Sequence, residues 1–467
     1  MTATDEIHAP AAARFGPIVQ YALLAGPLLS MLDSSIVNVA IAPIAREMNT
    51  SLSAVQWAVS GYLLALGTGL AATPYLARRF GTLPLYSASM AAFTLASASC
   101  AGAPNVSALI ASRVVQGLVA APMVPLSMRM TLGSGGARRS MSNTAGVLLF
   151  LGPALGPTVG GALIGAGGWR SIFLINLPLG LAAALCARAI PGRLAPGRIP
   201  GTRLDLPGLG LLGGGLTLVL LAATEGGNQG WNSAACWTPL AIGAGLLAGY
   251  AGWSVRAEHP ALDLSLVRRA VPALSLTLCA LASVVTFAVV FLLPVFVQEV
   301  QRRSALATGL AMAPQGVITG LSMMLGQGLL KRISVRTTVL AGFALLAGAS
   351  LGLLAIGTGT PLYLTAALLA ARAASIGLVI SPLLVLVTDP LDGGDLGDAN
   401  TLFNIWQRIA GSFGVGLISA LYASHARSAG PVAALHLTGA VVAGISAAGV
   451  LGAVFLPAVR NKGLAGQ

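Results

Sequence analysis

Asp33 is the residue of this chain whose position most strongly indicates chemistry. Of the 13 Asp and Glu residues, it alone lies deep inside a long apolar run, while the others fall in tails, in loops or near the ends of runs. An ionisable side chain at membrane depth is costly and by default marks the path of an ion or a substrate. Burial favours the neutral form of a carboxyl group, and a nearby cation favours its charged form. We therefore expect Asp33 to bind and release a proton; the alternative is a carboxylate near the membrane surface.

Arg113 is the cation that we expect to pair with Asp33. It lies early in a later apolar run, within residues 111–117. An arginine side chain keeps its proton in proteins, so at membrane depth it needs an acceptor or water. The alternative is an interfacial arginine that belongs to the adjoining loop.

A third cluster combines glycines and prolines within residues 152–161. Glycines four apart form a flat helix face that another backbone can approach closely, and prolines remove backbone donors and bend the helix. Such a helix suits an interface at which two bodies rock, and static close packing is the alternative. The predicted gating residues are Gly152, Pro153, Gly156, Pro157, Gly160 and Gly161.

A polar stripe follows one face of the apolar run near residue 411. Positions 400, 404, 407 and 411 share one face of a helix and carry Asn, Asn, Gln and Gly. The stripe predicts either substrate contact or hydrogen bonds to a neighbouring helix. Together with polar residues of other runs it gives the predicted cavity lining, which is Asn38, Gln116, Gly117, Asn404, Gln407 and Arg408.

No metal site is expected. The four cysteines and four histidines lack the spacing of metal ligands. Residues 389–398 contain several Asp residues but have neither the EF-hand spacing nor its final Glu, so we expect a solvated acidic loop.

The composition indicates an all-α integral membrane protein. Of the 467 residues, 56% are hydrophobic and only 8% are charged, against about 25% charged residues in soluble chains. A spanning helix needs roughly 20 apolar residues. Runs of that kind number fourteen, and the weakest lie near residues 180, 214 and 411. We predict fourteen transmembrane helices.

The net charge of +13 reflects topology. If both termini lie on one side, that side receives 18 of the 26 Lys and Arg residues and the other side receives 5, with 3 inside runs. The positive-inside rule then places both termini in the cytoplasm. Nucleic acid is therefore not an expected partner. Asp5 and Glu6 argue against a secretory signal, so the first run is expected to stay as a span.

The chain divides into three parts. Residues 191–208, rich in Pro, Gly and Arg, and the polar stretch 256–270 flank two apolar runs. We predict a six-helix half over 1–190, linkers with two extra spans over 191–270, and a second six-helix half over 271–467. A faint repeat supports two related halves, because the basic stretch 76–81 recurs at 329–334 and Arg113 at Arg372.

Several of these stretches together resemble the major facilitator superfamily, in particular its fourteen-span drug:proton antiporter branch. The resemblance covers nearly the whole chain. Residues 32–40 are similar to the first-span motif, and Arg113, Gln116 and Gly117 to the fourth-span motif, whose Arg is implicated in proton handling. Residues 152–161 resemble the antiporter motif, which symporters generally lack, and residues 169–178 resemble the start of the sixth span.

One loop departs from the family pattern. The loop after the second span usually has a Gly, an Asp and a basic cluster, whereas here Pro74 and Arg78 stand where the Gly and the Asp belong. The resemblance implies that this Asp latches the outward-facing state, so gating is expected to differ. The residues of this degenerate motif are Arg78, Arg79 and Gly81.

The sequence thus predicts a monomeric proton-coupled antiporter of a bacterial inner membrane. It would export lipophilic neutral or monocationic compounds, with the proton gradient as its energy source and no cofactor. Dications would be poor substrates, because Asp33 is the single deep carboxylate. The alternative is an importer or facilitator on the same fold. A receptor is less expected because no loop is long enough to fold alone, and an enzyme because no nucleophile–base pair or metal cluster appears.

Overall fold

The computed structural model of the protein is all-helical over the residues that it describes. These are residues 17–132, 143–187, 190, 204–257, 260–262, 264–330, 332–388 and 396–458. The acidic stretch 389–395 and most of the linker 191–208 lie outside the described residues.

Sixteen α-helices can be named in the described residues. The first group is α1 (Pro17–Glu47), α2 (Leu52–Phe80), α3 (Thr82–Ala101), α4 (Val106–Ala120), α5 (Met123–Leu132), α6 (Asn143–Gly167), α7 (Ser171–Leu174) and α8 (Asn176–Ala187). Two helices follow, α9 (Leu206–Gln229) and α10 (Ala234–Ser254). The last group is α11 (Ala270–Glu299), α12 (Ala305–Leu329), α13 (Val335–Leu351), α14 (Leu362–Thr388), α15 (Leu396–Ala429) and α16 (Pro431–Ala453).

Short polar residues set the helix starts. The side chains of Ser51, Asn105 and Ser304 each accept a hydrogen bond from the backbone N–H three residues on, which caps α2, α4 and α12. Gly81 ends α2 at a φ of 91°, a conformation that only glycine adopts freely, and α3 begins at the next residue. The chain can therefore reverse within one residue at this loop.

Ten helices in the described residues are long and apolar enough to cross a membrane, or eleven if one bent pair forms a single span. The prediction of fourteen spans is therefore supported only as a many-span helical membrane fold. α3 and α12 have the length of a span, but their many Ser, Thr and Gly residues dilute their apolar character. The bent pair, Leu155–Gly167 and Ser171–Ala187, meets at 119°, so the chain turns back there.

We call α1–α8 the first half of the helices and α11–α16 the second half. In the first half, α1 packs against α6 and α8, and α4 packs against α2 and α3. In the second half, α14 packs against α11, α12 and α13, and α16 packs against α13 and α15. Two seams join the halves, α6 against α12 and α2 against α15. α9 and α10 pack on each other, and α9 covers the α2–α15 seam from outside.

Polar contacts between the halves lie toward one side of the molecule. We call the side on which α1 begins the near side and the side on which α1 ends the far side. The contacts fall in the far halves of α1 and α2 and near the far ends of α6 and α11. They are Gln298 Nε2 to Val39 O (2.9 Å), Thr158 Oγ1 to Gly309 O (3.1 Å), Ser412 Oγ to Ser60 O (2.9 Å), Ser419 Oγ to Gln56 Oε1 (2.7 Å) and Arg46 to Glu299 (3.5 Å).

Candidate functional site

Asp33 and Arg113 form an ion pair inside the first half. α1 carries Asp33 and α4 carries Arg113, and the Arg113 Nη1 lies 2.5 Å from the Asp33 Oδ2. Both side chains are buried, with exposures of 0% and 1%. The expected proximity of the two residues is thus confirmed, while their role in proton coupling stays a prediction. The alternatives, an interfacial arginine and a surface carboxylate, do not fit this burial.

Two amides and a hydroxyl complete the cluster. Gln116 Nε2 and Asn176 Nδ2 both donate to the Asp33 Oδ1, at 3.1 and 2.8 Å. The same two amide groups donate to the Ser97 Oγ, at 2.6 and 3.2 Å. Asp33 on α1 is therefore bonded to α4 and α8, and through the two amides to α3. The carboxylate of Asp33 thus accepts hydrogen bonds from three side chains on two other helices.

Arg113 has further acceptors that do not depend on Asp33. Its Nε donates to the Ala58 carbonyl on α2 (3.1 Å), and its Nη1 also donates to the Gln116 Oε1 (2.6 Å). The guanidinium lies 4.0 Å from the ring centroid of Tyr62 and 5.7 Å from that of Phe173, both within range of a cation–π contact. Loss of charge on Asp33 would therefore not leave Arg113 without partners.

Asn176 has an unsatisfied oxygen at the centre of the cluster. Its Oδ1 is buried and has no hydrogen-bond partner in the described part of the chain, although its Nδ2 has two acceptors. An unpaired buried acceptor costs roughly 1–3 kcal/mol. The oxygen is thus available to accept a bond from a proton on Asp33 if the amide group turns over.

Gln116 and Gly117, which the sequence predicts as cavity lining, lie at buried contacts of α4, and their role toward substrate stays a prediction. Gln116 is fully buried and belongs to the Asp33 cluster. A Cβ on Gly117 would collide with the backbone oxygen of Tyr62, so this glycine lets α4 pack closely on α2. The polar side chains of α4 face other helices of the first half, since Arg113 and Gln116 bond to Asp33 on α1 and Gln116 bonds to Ser97 on α3.

Asn38 lies on α1 one turn beyond Ser34 and is largely buried. Its Nδ2 donates to the backbone oxygens of Ser34 and Ser35, at 3.3 and 3.2 Å. Its donor group therefore serves its own helix. A role in substrate contact stays a prediction for Asn38.

The glycine face of α6 packs on both halves. A Cβ on Gly156 would meet the Ser35 side chain, and one on Gly160 would meet Ile36, both on α1. A Cβ on Gly161 would instead lie 2.8 Å from the Leu306 Cα at the start of α12. Pro157 lies at the same seam, where a Cβ on Gly309 would meet its carbonyl. Gly152 and Pro153 fall in α6, but their surroundings lie outside the described residues.

The polar stripe of α15 lies on the helix that packs against both α2 and α11. Asn404, Gln407 and Arg408 are half-buried. Gly411 faces α11, where a Cβ would lie 2.6 Å from the Phe287 ring. Whether these residues bind substrate stays a prediction; the side chain of Asn400 lies outside the described residues.

The second half carries an arginine without a carboxylate partner in the described residues. Arg372 on α14 is 2% exposed and donates to the Gln315 Oε1 (2.6 Å) and the Thr286 carbonyl (3.1 Å). Thr286 is the residue 253 positions after Asp33, which is the offset of the basic stretches. The second half thus repeats the arginine of the first half but not its acid.

The degenerate loop motif lies at the near-side end of α2. Arg78 is half-buried and its Nε has no hydrogen-bond partner in the described part of the chain, whereas Arg79 is exposed and has a partner. Gly81 provides the turn into α3. Where the family motif has a carboxylate, the chain thus carries a guanidinium whose Nε has no partner among the described residues.

Sequence reasoning missed Ser97, Asn176 and Tyr62 as parts of the cluster. Asn176 stood within the stretch 169–178 and could have been singled out as an amide in an apolar run. Ser97 and Tyr62 gave no such signal, because serine and tyrosine are common in helices. Within the described residues, no group of three or more His, Cys, Asp or Glu residues could hold a metal ion.

Many helices of membrane-spanning length with an ion pair buried among them are what a membrane transporter requires. The sequence model of the family named Major Facilitator Superfamily matches residues 23–415. The chain belongs to this superfamily, and it is a membrane transporter rather than an enzyme.

Relatives and solved structures agree with this assignment. The chain is 33% identical over 404 residues to the Multidrug resistance protein B homolog of Mycobacterium tuberculosis, covering 84% of this chain and 74% of that protein. It is 30% identical over 399 residues to the Methylenomycin A resistance protein of Streptomyces coelicolor, covering 84% and 83%. A D-xylose-proton symporter has the same fold, with a TM-score of 0.64, 16% identity and coverage of 94% and 98%.

Proposed function

We propose that this chain is a proton-coupled exporter of small lipophilic organic compounds in a bacterial inner membrane. Its relatives of 30–33% identity are named for drug resistance. The observation that carries the coupling is the buried Asp33, a titratable group whose three donors come from two other helices. A change in its charge changes the bonds that hold α1 in place.

Protonation of Asp33 would not leave the charge of Arg113 without hydrogen-bond partners. A proton on Asp33 weakens the attraction of Arg113, which keeps its bonds to the Ala58 carbonyl and to Gln116. The new O–H needs an acceptor, and turning the Asn176 amide over offers its unpaired Oδ1. Such rearrangement of a few bonds is the local event that biases a two-state element.

α1 would transmit this change to the seam between the halves. Its far half bonds to α11 through Val39 and Gln298, and it packs on α6 through Ser35 and Ile36. α6 in turn contacts α12. Loosening α1 from α4 and α8 would therefore alter the contacts that close the far side, which would link the protonation state of Asp33 to the side on which the transporter opens.

The proposed arrangement in the membrane follows the charge count. The near side would be cytoplasmic, with both termini on it, because its loops carry 18 of the 26 basic residues. Taking α4 with α5 and α7 with α8 as single spans gives fourteen spans, two of them between six-helix halves. The state with far-side contacts would then be inward-facing. The protein would act as a monomer, with the proton gradient as its only energy source.

Neutral lipophilic compounds fit this proposal better than the monocations expected from the sequence. A cationic substrate needs an accessible acid at membrane depth to offset its charge. Asp33 has no exposed surface and accepts three hydrogen bonds. An importer on the same fold is separated from an exporter by the direction of coupled transport.

The test is transport in vesicles of defined polarity. Purified protein is reconstituted with a lipophilic fluorescent dye, and a proton gradient is imposed in either direction. We expect dye to move against the proton flux in the native protein, and Asp33→Asn to abolish that movement while the protein stays folded. Asp205→Asn is the matched control, since Asp205 caps α9 away from the cluster and Asn is also a good cap.

Two results would contradict the proposal. Dye that moves with the proton flux would indicate an importer. Accumulation of dye by Asp33→Asn against its gradient would show that Asp33 does not couple transport to protons.

A further inference from the structure

The acid at membrane depth is not available to a ligand. Asp33 is 0% exposed, its Oδ2 accepts from Arg113, and its Oδ1 accepts from Gln116 and Asn176. These partners lie on α4 and α8 of its own half. A cation that enters the space between the halves would therefore find no free carboxylate at Asp33.

Arg408 lies at the seam between α2 and α15, where a Cβ on Gly67 would be 3.7 Å from the Arg408 Cβ. On α15, Ile405 and Ser412 contact α2, through the neighbourhood of Gly67 and the bond to the Ser60 carbonyl. Gly411 faces a different neighbour, the Phe287 ring on α11. Position 408 lies between these two faces of the helix. Its side chain thus points into the wedge between α2 of the first half and α11 of the second.

The guanidinium of Arg408 has no counter-ion among the described residues. It is half-buried, and neither a hydrogen bond nor an ion pair of its side chain is found in the part of the chain that the structure describes. It is close enough to Tyr62 to interact with it electrostatically. Asn404 lies one turn away on the same face, half-buried as well.

The charges inside the spans are unbalanced. Arg113, Arg372 and Arg408 lie within apolar runs, against the single acid Asp33. Arg113 is neutralised by Asp33, and Arg372 is buried away from the seam against Gln315. Of these three arginines, Arg408 is therefore the one for which no hydrogen bond or ion pair is found within the described spans. An arginine at low dielectric repels a cation and offers a planar set of donors that fits a carboxylate.

We propose that the cavity of this transporter selects organic anions, such as ionised carboxylic acids on an apolar body, and that Arg408 binds their negative group. The inference rests on the proposed export function and names its substrate class. Apolar walls would hold the body of the ligand, while Arg408 and Asn404 orient its charged end.

The test compares three ligands with one naphthalene body and different charge. Naphthoate, naphthylmethanol and naphthylmethylammonium are measured by equilibrium dialysis against the full chain in detergent micelles at neutral pH. Empty micelles correct for partitioning. We expect naphthoate to bind at least about tenfold more tightly than the ammonium compound, since hydrogen bonds to a charged group are among the stronger ones.

Arg408→Gln and Arg408→Lys test the assignment to this residue. We expect Arg408→Gln to remove the preference for naphthoate and to leave naphthylmethanol binding within about twofold, which also shows that the variant is folded. Arg408→Lys should keep a preference for the anion. Tighter binding of the ammonium compound to the native chain, or an unchanged naphthoate preference in Arg408→Gln, would overturn the inference.

Failure of the inference is distinguishable from failure of the export function. If naphthylmethanol is exported against the proton flux but naphthoate is not preferred, the export function stands and the anion class is wrong. If naphthoate binds preferentially but none of the three compounds is transported, the site stands and the export function fails.

Discussion

At the scale of single residues, the Asp33 cluster combines a strong charge pair with one unpaired acceptor. Breaking a buried ion pair by removing one partner usually costs about 3–5 kcal/mol, because it leaves an uncompensated charge. Here the other acceptors of Arg113 lessen that cost. The Asn176 Oδ1, which has no partner in the described residues, is the part of the cluster that a protonated Asp33 would use.

Asn176→Ala removes both the donor to Asp33 and the acceptor for its proton. We expect proton-driven transport to slow by about tenfold, because one bond to the charged group and the proposed acceptor of the protonated group are lost together. Uptake of dye without a proton gradient should change little. Stopped-flow fluorescence on vesicles measures both rates.

Thr94→Ala is the control for Asn176→Ala. Thr94 lies on α3 and packs against α8 at Gly180, one turn after Asn176. Its hydroxyl donates to the Met90 carbonyl of its own helix, so the change removes a polar group beside α8 without touching the cluster. Equal slowing in Thr94→Ala would show that the effect of Asn176→Ala arises from packing between α3 and α8.

At the scale of elements, α6 is the helix that touches both halves. Gly161→Val places a side chain against the backbone at the start of α12, where nothing flexible can give way. We expect the far side to stay open and transport to fall by at least about tenfold, because the close approach of α6 to α12 is lost. Single cysteines introduced at far-side positions should become more reactive toward a membrane-impermeant thiol reagent.

Gly165→Val is the matched control for Gly161→Val. Gly165 lies one turn further along α6, and a Cβ there would meet nothing within 4 Å. Both changes have the same effect on helix propensity. Loss of transport in both variants would mean that α6 tolerates no substitution, and the seam would not be the cause.

The loop after α2 gives a second prediction at this scale. Arg78→Asp restores the acid that the family motif has, and the carboxylate could meet neighbouring basic side chains that Arg78 repels. We expect the balance to shift toward the far-side-open state, with more labelling of far-side cysteines. Arg332→Asp, in the corresponding loop of the second half, is the control. Unchanged labelling in Arg78→Asp would mean that an acid at position 78 does not stabilise the outward-facing state of this chain as it does in the family.

At the scale of the whole molecule, the distribution of basic residues predicts the orientation. The side that receives 18 of the 26 Lys and Arg residues should be cytoplasmic. A fluorescent protein fused after Gln467 should therefore be bright in cells, and alkaline phosphatase fused there should be inactive. An active phosphatase would reverse the near and far sides.

The amino-acid sequence by itself determined that the chain lies in lipid and that Asp33 and Arg113 form a charge pair in the first half. With 56% hydrophobic and 8% charged residues the chain must form many apolar helices, and a lone Asp33 at depth required a cation such as Arg113. These conclusions need no tertiary contacts, because the cost of burying backbone and charge in lipid is local.

Only the tertiary structure decided where the polar faces point. Helical periodicity shows that residues share a face but not which neighbour that face meets. Gln116 contacts the Asp33 cluster, whereas Arg408 lies at the seam between α15 and α2. The reason is that close approaches at Gly117, Gly161 and similar positions fix the rotation of each helix, and such approaches depend on residues far apart in the chain.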